Sequence, residues 1–280
     1  MPALPTVVIA SRNRRARLLT TLDAHAALPG RPPVVVVDDH SDDGTPAAVR
    51  AAHPGVRVIE RPPGTDAAAR TIGVQAARTP LVAFSDDDSW WDPHALARAS
   101  ALFERFPRLG LVAARIVVEP RGELDPTCAV MRDSPLAATM PLPGPPVLGF
   151  LACGAIARRE AVLEAGGFHS RYGFGGEEQL LAIDIATKGW GLAYVDDVVA
   201  HHRPAPGPRA WQGVSILRNG LWSVWLRRPL TTALRLTAST VSRRHGRSAL
   251  VAAAPGLTWV LGERRVVPPH VESWLRSLDR

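Results

Sequence analysis

The chain has 280 residues, of which 46% are hydrophobic and 21% are charged. This composition is typical of globular proteins and excludes a disordered chain, and the length allows one large domain or two small ones. No uninterrupted apolar stretch reaches the roughly 18 residues that a membrane-spanning helix needs, and the N-terminal residues do not follow the signal-peptide pattern. We therefore expect a globular, cytoplasmic protein.

The net charge of +7 is unevenly distributed along the chain. Residues 1–199 carry a net charge of −3, whereas residues 200–280 carry +10. A basic segment can bind nucleic acid, an anionic membrane surface or an acidic substrate. Nucleic acid is not expected here, because no zinc-finger spacing or aromatic RNA-binding motif accompanies the charge. Cys128 and Cys153 lack metal-ligand spacing, and we expect both to be reduced thiols.

Short apolar runs alternate with helical patterns in the first third of the chain. Strands are predicted at 7–9, 34–37, 56–59 and 81–84, and helices at 18–22, 47–52 and 67–77. This alternation predicts a mostly parallel sheet that is covered by helices on both faces. Ligands bind such sheets at the carboxyl ends of the strands. The acidic clusters Asp38-Asp39 and Asp86-Asp87-Asp88 follow strands directly, so they should meet at one edge.

The later part of the chain predicts a change of architecture near residue 203. A proline-rich loop at 135–146 precedes predicted helices at 158–165 and 177–188 and a strand at 192–199. Beyond Pro204, Pro206 and Pro208 the pattern changes to helices rich in Trp and Arg. We therefore predict a main α/β domain over 1–203 and a basic helical extension over 204–280.

Three consecutive aspartates at the end of a buried strand require a physical explanation. Their mutual repulsion raises their pKa values unless a cation lies nearby. Mg²⁺ and Mn²⁺ accept carboxylate oxygens together with substrate phosphates, so Asp86, Asp87 and Asp88 predict a divalent metal site. The alternative is a solvated acidic turn that caps a helix before Pro93.

Five sequence motifs in a fixed order carry a resemblance to a known family. They are VVIASRNR, VVVVDDHSDDGT, AAARTIGVQAARTPLVAFSDDDSWWDP, GAIARREAVLEAGGF and GGEEQLLAIDIATKGW. The chain resembles the family 2 glycosyltransferases of the GT-A fold over roughly residues 5–203. The resemblance implies a mostly parallel α/β fold and a metal-dependent, inverting transfer from a nucleotide-diphosphate sugar to an acceptor hydroxyl. The acceptor would belong to a polysaccharide, a glycolipid or a metabolite.

The resemblance assigns donor binding to residues near the strand ends and to one helical arginine. These residues are Ala10, Ser11, Arg12, Asp38, Asp39, Arg70, Asp86 and Asp87. Asp38 or Asp39 would bind the nucleobase or ribose, although a turn-forming role is the alternative. Arg70 matches the arginine of an Arg-Asn-x-x-Gly-like helix, but Thr71 replaces the usual asparagine.

The same resemblance assigns the metal to Asp86, Asp88 and one histidine of the pair His201-His202. Strand alternation lets only one of the two histidines face the site, and we predict His201. A surface histidine pair is the alternative. The expected ion is Mg²⁺ or Mn²⁺, of which Mn²⁺ accepts imidazole more readily.

The resemblance places the catalytic base in a carboxylate pair at a helix start, here Glu177-Glu178. The second position is usually Asp, so the side chain at this position is longer by one methylene in this protein. We predict Glu178 as the base and keep Glu177 as the alternative, because an acidic residue at this position also stabilises a helix N-terminus. Gly154 and Trp190 are predicted on the acceptor side.

The C-terminal segment allows two interpretations. Trp222 and Trp225 recur among leucines and arginines at near-helical spacing, which predicts either helices that cover the sheet or an interfacial helix on anionic lipid. Both can hold together, so we expect a cytoplasmic protein that is peripheral on the membrane. Two other functions compete with sugar transfer: a nucleotidyltransferase that makes a nucleotide sugar, and a catalytically silent scaffold. The segment SRNRR has the arginines of a nucleotidyltransferase loop but lacks its glycines.

Overall fold

A computed structural model describes residues 4–63, 66–205 and 212–279. Its strands form one sheet of nine members. In chain order they are β1 (Thr6–Ser11), β2 (Val34–Asp39), β3 (Arg57–Arg61), β4 (Leu81–Ser85), β5 (Ser89–Trp91), β6 (Leu109–Val118), β7 (Glu123–Leu124), β8 (Ala155–Arg158) and β9 (Gly191–His202).

The strand order is β3-β2-β1-β4-β8-β6-β9-β5, with β7 paired to β6. Strands β1 to β4 are mutually parallel, and β6 and β9 point the same way because β8 is antiparallel to both β4 and β6. The carboxyl ends of these six strands therefore lie at one edge of the sheet. The prediction of a mostly parallel sheet is confirmed.

Helices cover the sheet. They are α1 (Arg15–Ala26), α2 (Thr45–Ala52), α3 (Asp66–Ala76), α4 (Ala95–Arg105), α5 (Pro126–Arg132), α6 (Arg159–Glu164), α7 (Glu177–Thr187), α8 (Gln212–Arg227), α9 (Leu230–Thr240), α10 (Gly246–Ala253), α11 (Leu257–Gly262) and α12 (Pro269–Leu278). Strands β1 and β4 are buried along their whole length, which explains their unbroken apolar sequences. The core of the protein lies on both sides of these two strands.

Helices α8 to α12 pack against the sheet domain. Tyr172 and Leu180 share an apolar cluster with α8, α10 and α11, while Val271 and Leu275 of α12 join the main core. The predicted boundary at residue 203 stays a prediction, and Pro206 and Pro208 lie outside the described residues. In the described parts of the chain, no helix is both long and apolar enough to cross a membrane.

Buried ion pairs add polar contacts to this packing. Arg228 of α8–α9 donates to Glu272 Oε2 at 2.6 Å and to Asp279 Oδ2 at 2.9 Å. Arg227 donates to Asp184 of α7 at 2.9 Å. Breaking one partner of a buried pair costs several kcal/mol, roughly 3–5, because the other charge is left buried. Two arginines at the end of α8 therefore form ion pairs inside the protein.

Candidate functional site

The two acidic clusters meet at the carboxyl edge of the sheet, as predicted. Ser11, the last residue of β1, is the ladder partner of Asp38 in β2. Its hydroxyl also donates to Asp87 Oδ2 at 3.1 Å. One serine thus connects the ends of β1, β2 and β4.

A tight turn presents the three aspartates in different directions. The Asp86 amide donates to Ser89 Oγ at 2.8 Å, and the Ser89 amide donates back to the Asp86 carbonyl at 3.2 Å. Asp86 accepts a hydrogen bond from Arg70 of α3 at 2.8 Å, and Asp88 accepts one from Arg17 of α1 at 2.8 Å. Arg17 was not predicted, although it belongs to the arginine-rich segment after β1.

The charge of the turn is partly uncompensated. Burial, together with the neighbouring charges of Asp88 and Asp86, raises the pKa of Asp87 to about 7. The backbone carbonyl of Asp87 also accepts a hydrogen bond from the Thr21 hydroxyl at 2.8 Å. An added cation near these carboxylates would relieve their repulsion.

The histidine that faces the aspartates is His202, so the prediction of His201 is wrong on orientation. His202 Nε2 lies 3.3 Å from Asp88 Oδ1. Burial lowers the pKa of His202, but its hydrogen bond to Asp88 and the charges of Asp88 and Asp86 outweigh burial and raise it overall. His201 instead stacks on Trp90 and lies 3.1 Å from Glu119.

The residues predicted to hold the nucleotide lie on the same edge. Asp38 is buried; its Oδ2 accepts from the Ser41 amide at 2.9 Å, whereas its Oδ1 has no hydrogen-bond partner among the described residues. Asp39 is paired with Arg61 at 3.1 Å. Asp39 Oδ1 also has no hydrogen-bond partner among the described residues, but it lies beside the Arg61 guanidinium, so Asp38 has the less compensated carboxylate of the two.

The loop after β1 is tied to the loop after β2. The Asn13 amide donates to Ser41 Oγ at 2.9 Å, and the Asp42 amide donates to Asn13 Oδ1 at 2.9 Å. Ala10 is buried and Arg12 is exposed at this loop. Ala10 is the ladder partner of Val37, the residue before Asp38, and the predicted part of Ala10 and Arg12 in donor binding stays a prediction.

Glu177 and Glu178 begin α7 and lie across the edge from Asp86. Glu177 is 4% exposed, its Oε1 is 3.7 Å from Arg70 Nη1, and its Oε2 has no hydrogen-bond partner among the described residues. Glu178 is more accessible than Glu177. Arg70 thus lies between Asp86 and this pair, and those carboxylates raise its pKa although burial opposes them.

The carboxylate pair holds protons more tightly than a free glutamate. Burial is the main cause that raises the pKa of both residues, and for Glu177 the charge of Glu178 adds to it. The opposing influence is Arg70, which favours the ionised form. A raised pKa brings a carboxylate closer to the range in which it accepts a proton efficiently at neutral pH.

The loop that leads to this pair is held from the C-terminal extension. Gly175 and Gly176 have φ values of +84° and +91°, a backbone region that favours glycine. Asn219 of α8 donates to the carbonyls of Phe174 and Gly175, at 3.3 and 2.6 Å. Asn219 is completely buried and was not predicted.

The two predicted acceptor-side residues occupy different places. Gly154 lies at the start of β8, where a Cβ atom would come within 2.6 Å of Ile116, so close packing already requires glycine there. Trp190 precedes β9, at the edge opposite His202, where it donates to Glu164 and lies under Arg108. The prediction of Trp190 as a site residue is therefore wrong: it is a packing residue.

Cys153, next to Gly154, contributes an unpredicted thiol to the site. Single ligand atoms of Asp86, Cys153 and His202 all lie within 4.8 Å of one another. The carboxylates of Asp86 and Asp88 and the imidazole of His202 are donors that Mn²⁺ accepts. Asp86, Cys153 and His202 are close enough to share one ion, whereas Asp88 is outside that group but lies 3.3 Å from His202.

Comparison with known proteins identifies the family. The family described as "Glycosyl transferase family 2" matches this chain over residues 6–165. An uncharacterized glycosyltransferase of Mycobacterium tuberculosis is 32% identical over 195 residues, which is 68% of this chain and 83% of that protein. A protein of Mycobacterium bovis with the same description matches equally well.

Solved glycosyltransferase structures share the fold. The mannosyltransferase PcManGT from Pyrobaculum calidifontis, in complex with GDP-Man and Mn²⁺, is 23% identical with a TM-score of 0.60 over 100% of this chain and 76% of that one. GalNAc-T7 with UDP, GalNAc and Mn²⁺ is 16% identical with a TM-score of 0.65, over 93% of this chain and 56% of that one. TarS from S. aureus with UDP-GlcNAc is 16% identical with a TM-score of 0.60, over 80% of this chain and 66% of that one.

The architecture is therefore the GT-A fold. The family match also favours sugar transfer over the nucleotidyltransferase and scaffold alternatives. The chain belongs to glycosyl transferase family 2 and is a glycosyltransferase.

Proposed function

We propose that the protein transfers a sugar, with inversion, from a nucleotide-diphosphate sugar to an acceptor hydroxyl. The observation that carries this proposal is the meeting of Asp38, the triplet Asp86–Asp88 and the Glu177-Glu178 pair at one edge of the sheet. The proposed donor-binding and proton-accepting carboxylates are neighbours, with Arg70 in contact with Asp86 and 3.7 Å from Glu177. The PcManGT, GalNAc-T7 and TarS structures hold nucleotides or nucleotide sugars, which supports the same donor class for this chain.

Glu178 is the proposed general base. As the acceptor oxygen attacks the anomeric carbon, its proton passes to the Glu178 carboxylate and the bond to the donor diphosphate breaks, with its electron pair leaving on the diphosphate. Attack from the face opposite the leaving group inverts the anomeric centre. Glu178 is preferred over Glu177 because residue 178 is the more exposed of the two, whereas Glu177 is buried beside Arg70.

Arg70 lies between Asp86 and the Glu177-Glu178 pair. It donates to Asp86 and lies beside Glu177, so its charge holds both carboxylates in place. A positive group there also lowers the free energy of the negative charge that develops on the leaving diphosphate. Asp38 would accept a hydrogen bond from the nucleobase or ribose through its free Oδ1.

A divalent ion is part of this proposal. Asp86, Asp88 and His202 would hold Mn²⁺ or Mg²⁺, which when bound neutralises charge on the diphosphate. Two structures of the fold contain Mn²⁺, namely PcManGT and GalNAc-T7. His202 takes the place that the sequence assigned to His201.

The proposal is tested by thermal unfolding with nucleoside diphosphates and nucleotide sugars, each with and without Mn²⁺. A ligand at a hundred times its Kd stabilises the folded state by about 2.7 kcal/mol. For a protein of this size that is a rise in Tm of roughly 5 °C or more. We expect the rise only when nucleotide and Mn²⁺ are both present. No rise with any nucleotide would contradict donor binding.

We also propose that the C-terminal extension associates with anionic membrane surfaces. The tryptophans do not support it, because Trp222 and Trp259 pack in an apolar cluster. Exposed leucines support it instead: Leu230 and Leu234, one turn apart on α9, are 55% and 60% exposed. Arg243 and Arg244 are exposed just beyond this helix.

Vesicle flotation checks the membrane proposal. We expect binding to vesicles rich in anionic lipid, little binding to neutral vesicles, and weaker binding as salt rises, because salt screens surface charge. Each arginine near an anionic surface contributes about 1 kcal/mol, so R243Q/R244Q should bind roughly tenfold or more weakly. The control is R50Q, an exposed arginine on α2. Absence of binding at low salt would refute the proposal.

A further inference from the structure

The thiol of Cys153 lies among the polar groups of the site. The short turn Ala152–Gly154 places Cys153 directly before β8, beside the end of β4. Its sulfur, an Asp86 oxygen and a His202 nitrogen lie within 4.8 Å of one another. Among the described residues, this is the one group of three or more His, Cys, Asp or Glu side chains whose donor atoms lie that close.

The two cysteines of the chain are in different environments. Cys128 has a structural role: its sulfur accepts from the Ile116 amide at 3.2 Å and lies 3.8 Å from the Ala114 carbonyl. Cys153 is only 5% exposed and belongs to the main hydrophobic core. Its nearness to a carboxylate and an imidazole is the feature that packing does not explain.

Thiolate, imidazole and carboxylate together favour a particular class of ion. Thiolate ligands suit Zn²⁺ and similar borderline ions, whereas Mg²⁺ requires oxygen ligands. Three protein ligands leave a fourth position of a tetrahedral ion free, as in sites that bind water or substrate.

We propose that Cys153 is a metal ligand and that Asp86, Cys153 and His202 bind a thiophilic divalent ion of the Zn²⁺ or Co²⁺ class. As the sulfur–metal bond forms, the thiol proton leaves to the solvent. Burial raises the pKa of Cys153 well above its ordinary value, so the thiol is neutral before the ion arrives. A bound cation deprotonates a coordinating thiol outright.

The consequence for the enzyme is competition between two ions. Asp86 and His202 belong both to this set and to the proposed Mn²⁺ set, so one ion excludes the other. The order of divalent affinities places Zn²⁺ and Co²⁺ above Mn²⁺. The competition rests on the proposed function for the position of the Mn²⁺ ion, whereas the thiol site itself does not.

The test is titration of the nucleotide-free protein with Co²⁺, followed by near-ultraviolet absorption. A sulfur-to-cobalt charge-transfer band should grow to one equivalent and disappear when Zn²⁺ is added. C153S and C153A should lack the band, while the matched variant C128S should keep it. Zn²⁺ affinity of C153S should fall by more than the roughly 10- to 100-fold typical of groups beyond the direct ligands.

The outcomes separate this inference from the proposed function. Co²⁺ binding without the sulfur band, or a band lost in C128S and kept in C153S, would overturn the thiol site. Failure to bind Co²⁺ at all would also overturn it. The thermal rise with nucleotide and Mn²⁺ should persist in C153S, because Asp88 and His202 remain. Loss of that rise in the wild-type protein would instead contradict donor binding.

Discussion

Replacing Glu178 with Gln should reduce sugar transfer by roughly 10²- to 10⁴-fold while donor affinity stays unchanged. Glutamine keeps the shape of the side chain but cannot accept the acceptor proton. Because burial raises the pKa of this carboxyl, transfer by the wild-type enzyme should fall as the pH drops through that raised value. Transfer rates over a pH series, with donor affinity measured by calorimetry, check both statements.

Two variants control the Glu178 experiment. Glu160 occupies the first turn of α6 and is exposed, so E160Q should leave transfer unchanged. E177Q should retain a higher rate of sugar transfer than E178Q. If E177Q is the more damaged variant, Glu177 is the base and the assignment must be exchanged within the pair.

Asp88→Ala should remove the Mn²⁺ dependence of donor binding and weaken that binding by roughly 100-fold or more. A direct metal ligand should contribute at least as much to affinity as the residues that hold the ligands in place. The fold should persist, since the partners of Asp88 are Arg17 and His202 at the edge of the sheet. Calorimetric titration with a nucleoside diphosphate, with and without Mn²⁺, measures the effect.

A matched aspartate elsewhere controls for general charge effects. Asp197 has a side chain 81% exposed and a single distant ion pair at 3.9 Å to Arg98. D197A should bind donor and Mn²⁺ like the wild-type protein. Unchanged affinity in D88A would mean that Asp88 is not a metal ligand.

The first half of the sheet could be predicted from the sequence because its signals are local. The buried runs of β1, β2 and β4 are continuous, and helical patterns follow β1 and β2. The insertion of β8 between β4 and β6 could not be predicted. It depends on pairing between residues more than 40 positions apart, such as Val112 with Ile156.

The position of the acidic clusters was predictable, whereas the choice of histidine was not. Parallel strands end at one edge, so Asp38 and Asp86–Asp88 had to meet. The ladder between β6 and β9 shifts between Ala114 and Arg115, where the partner moves from Val195 to Val199. This irregularity is not visible in the sequence. Because of it, simple alternation of side chains from Leu192 does not predict which face His202 occupies.

For Cys153 and Trp190 too, the sequence could not predict whether the side chain lies at the site or in the core. The sequence signal for each is an apolar residue near a glycine, which does not distinguish a site from a core. Only the sheet order puts Cys153 beside Asp86 and Trp190 at the far edge. Non-local pairing therefore decides which residues reach the site.

The contacts of Asn219 have a consequence for engineering. A chimera that joined residues 1–203 to another extension would lose the two hydrogen bonds from Asn219 to the Phe174 and Gly175 carbonyls. Those bonds hold the backbone just before Glu177 and Glu178. The proposed catalytic pair is thus structurally coupled to the extension, and a chimera that keeps α7 should keep α8 with it.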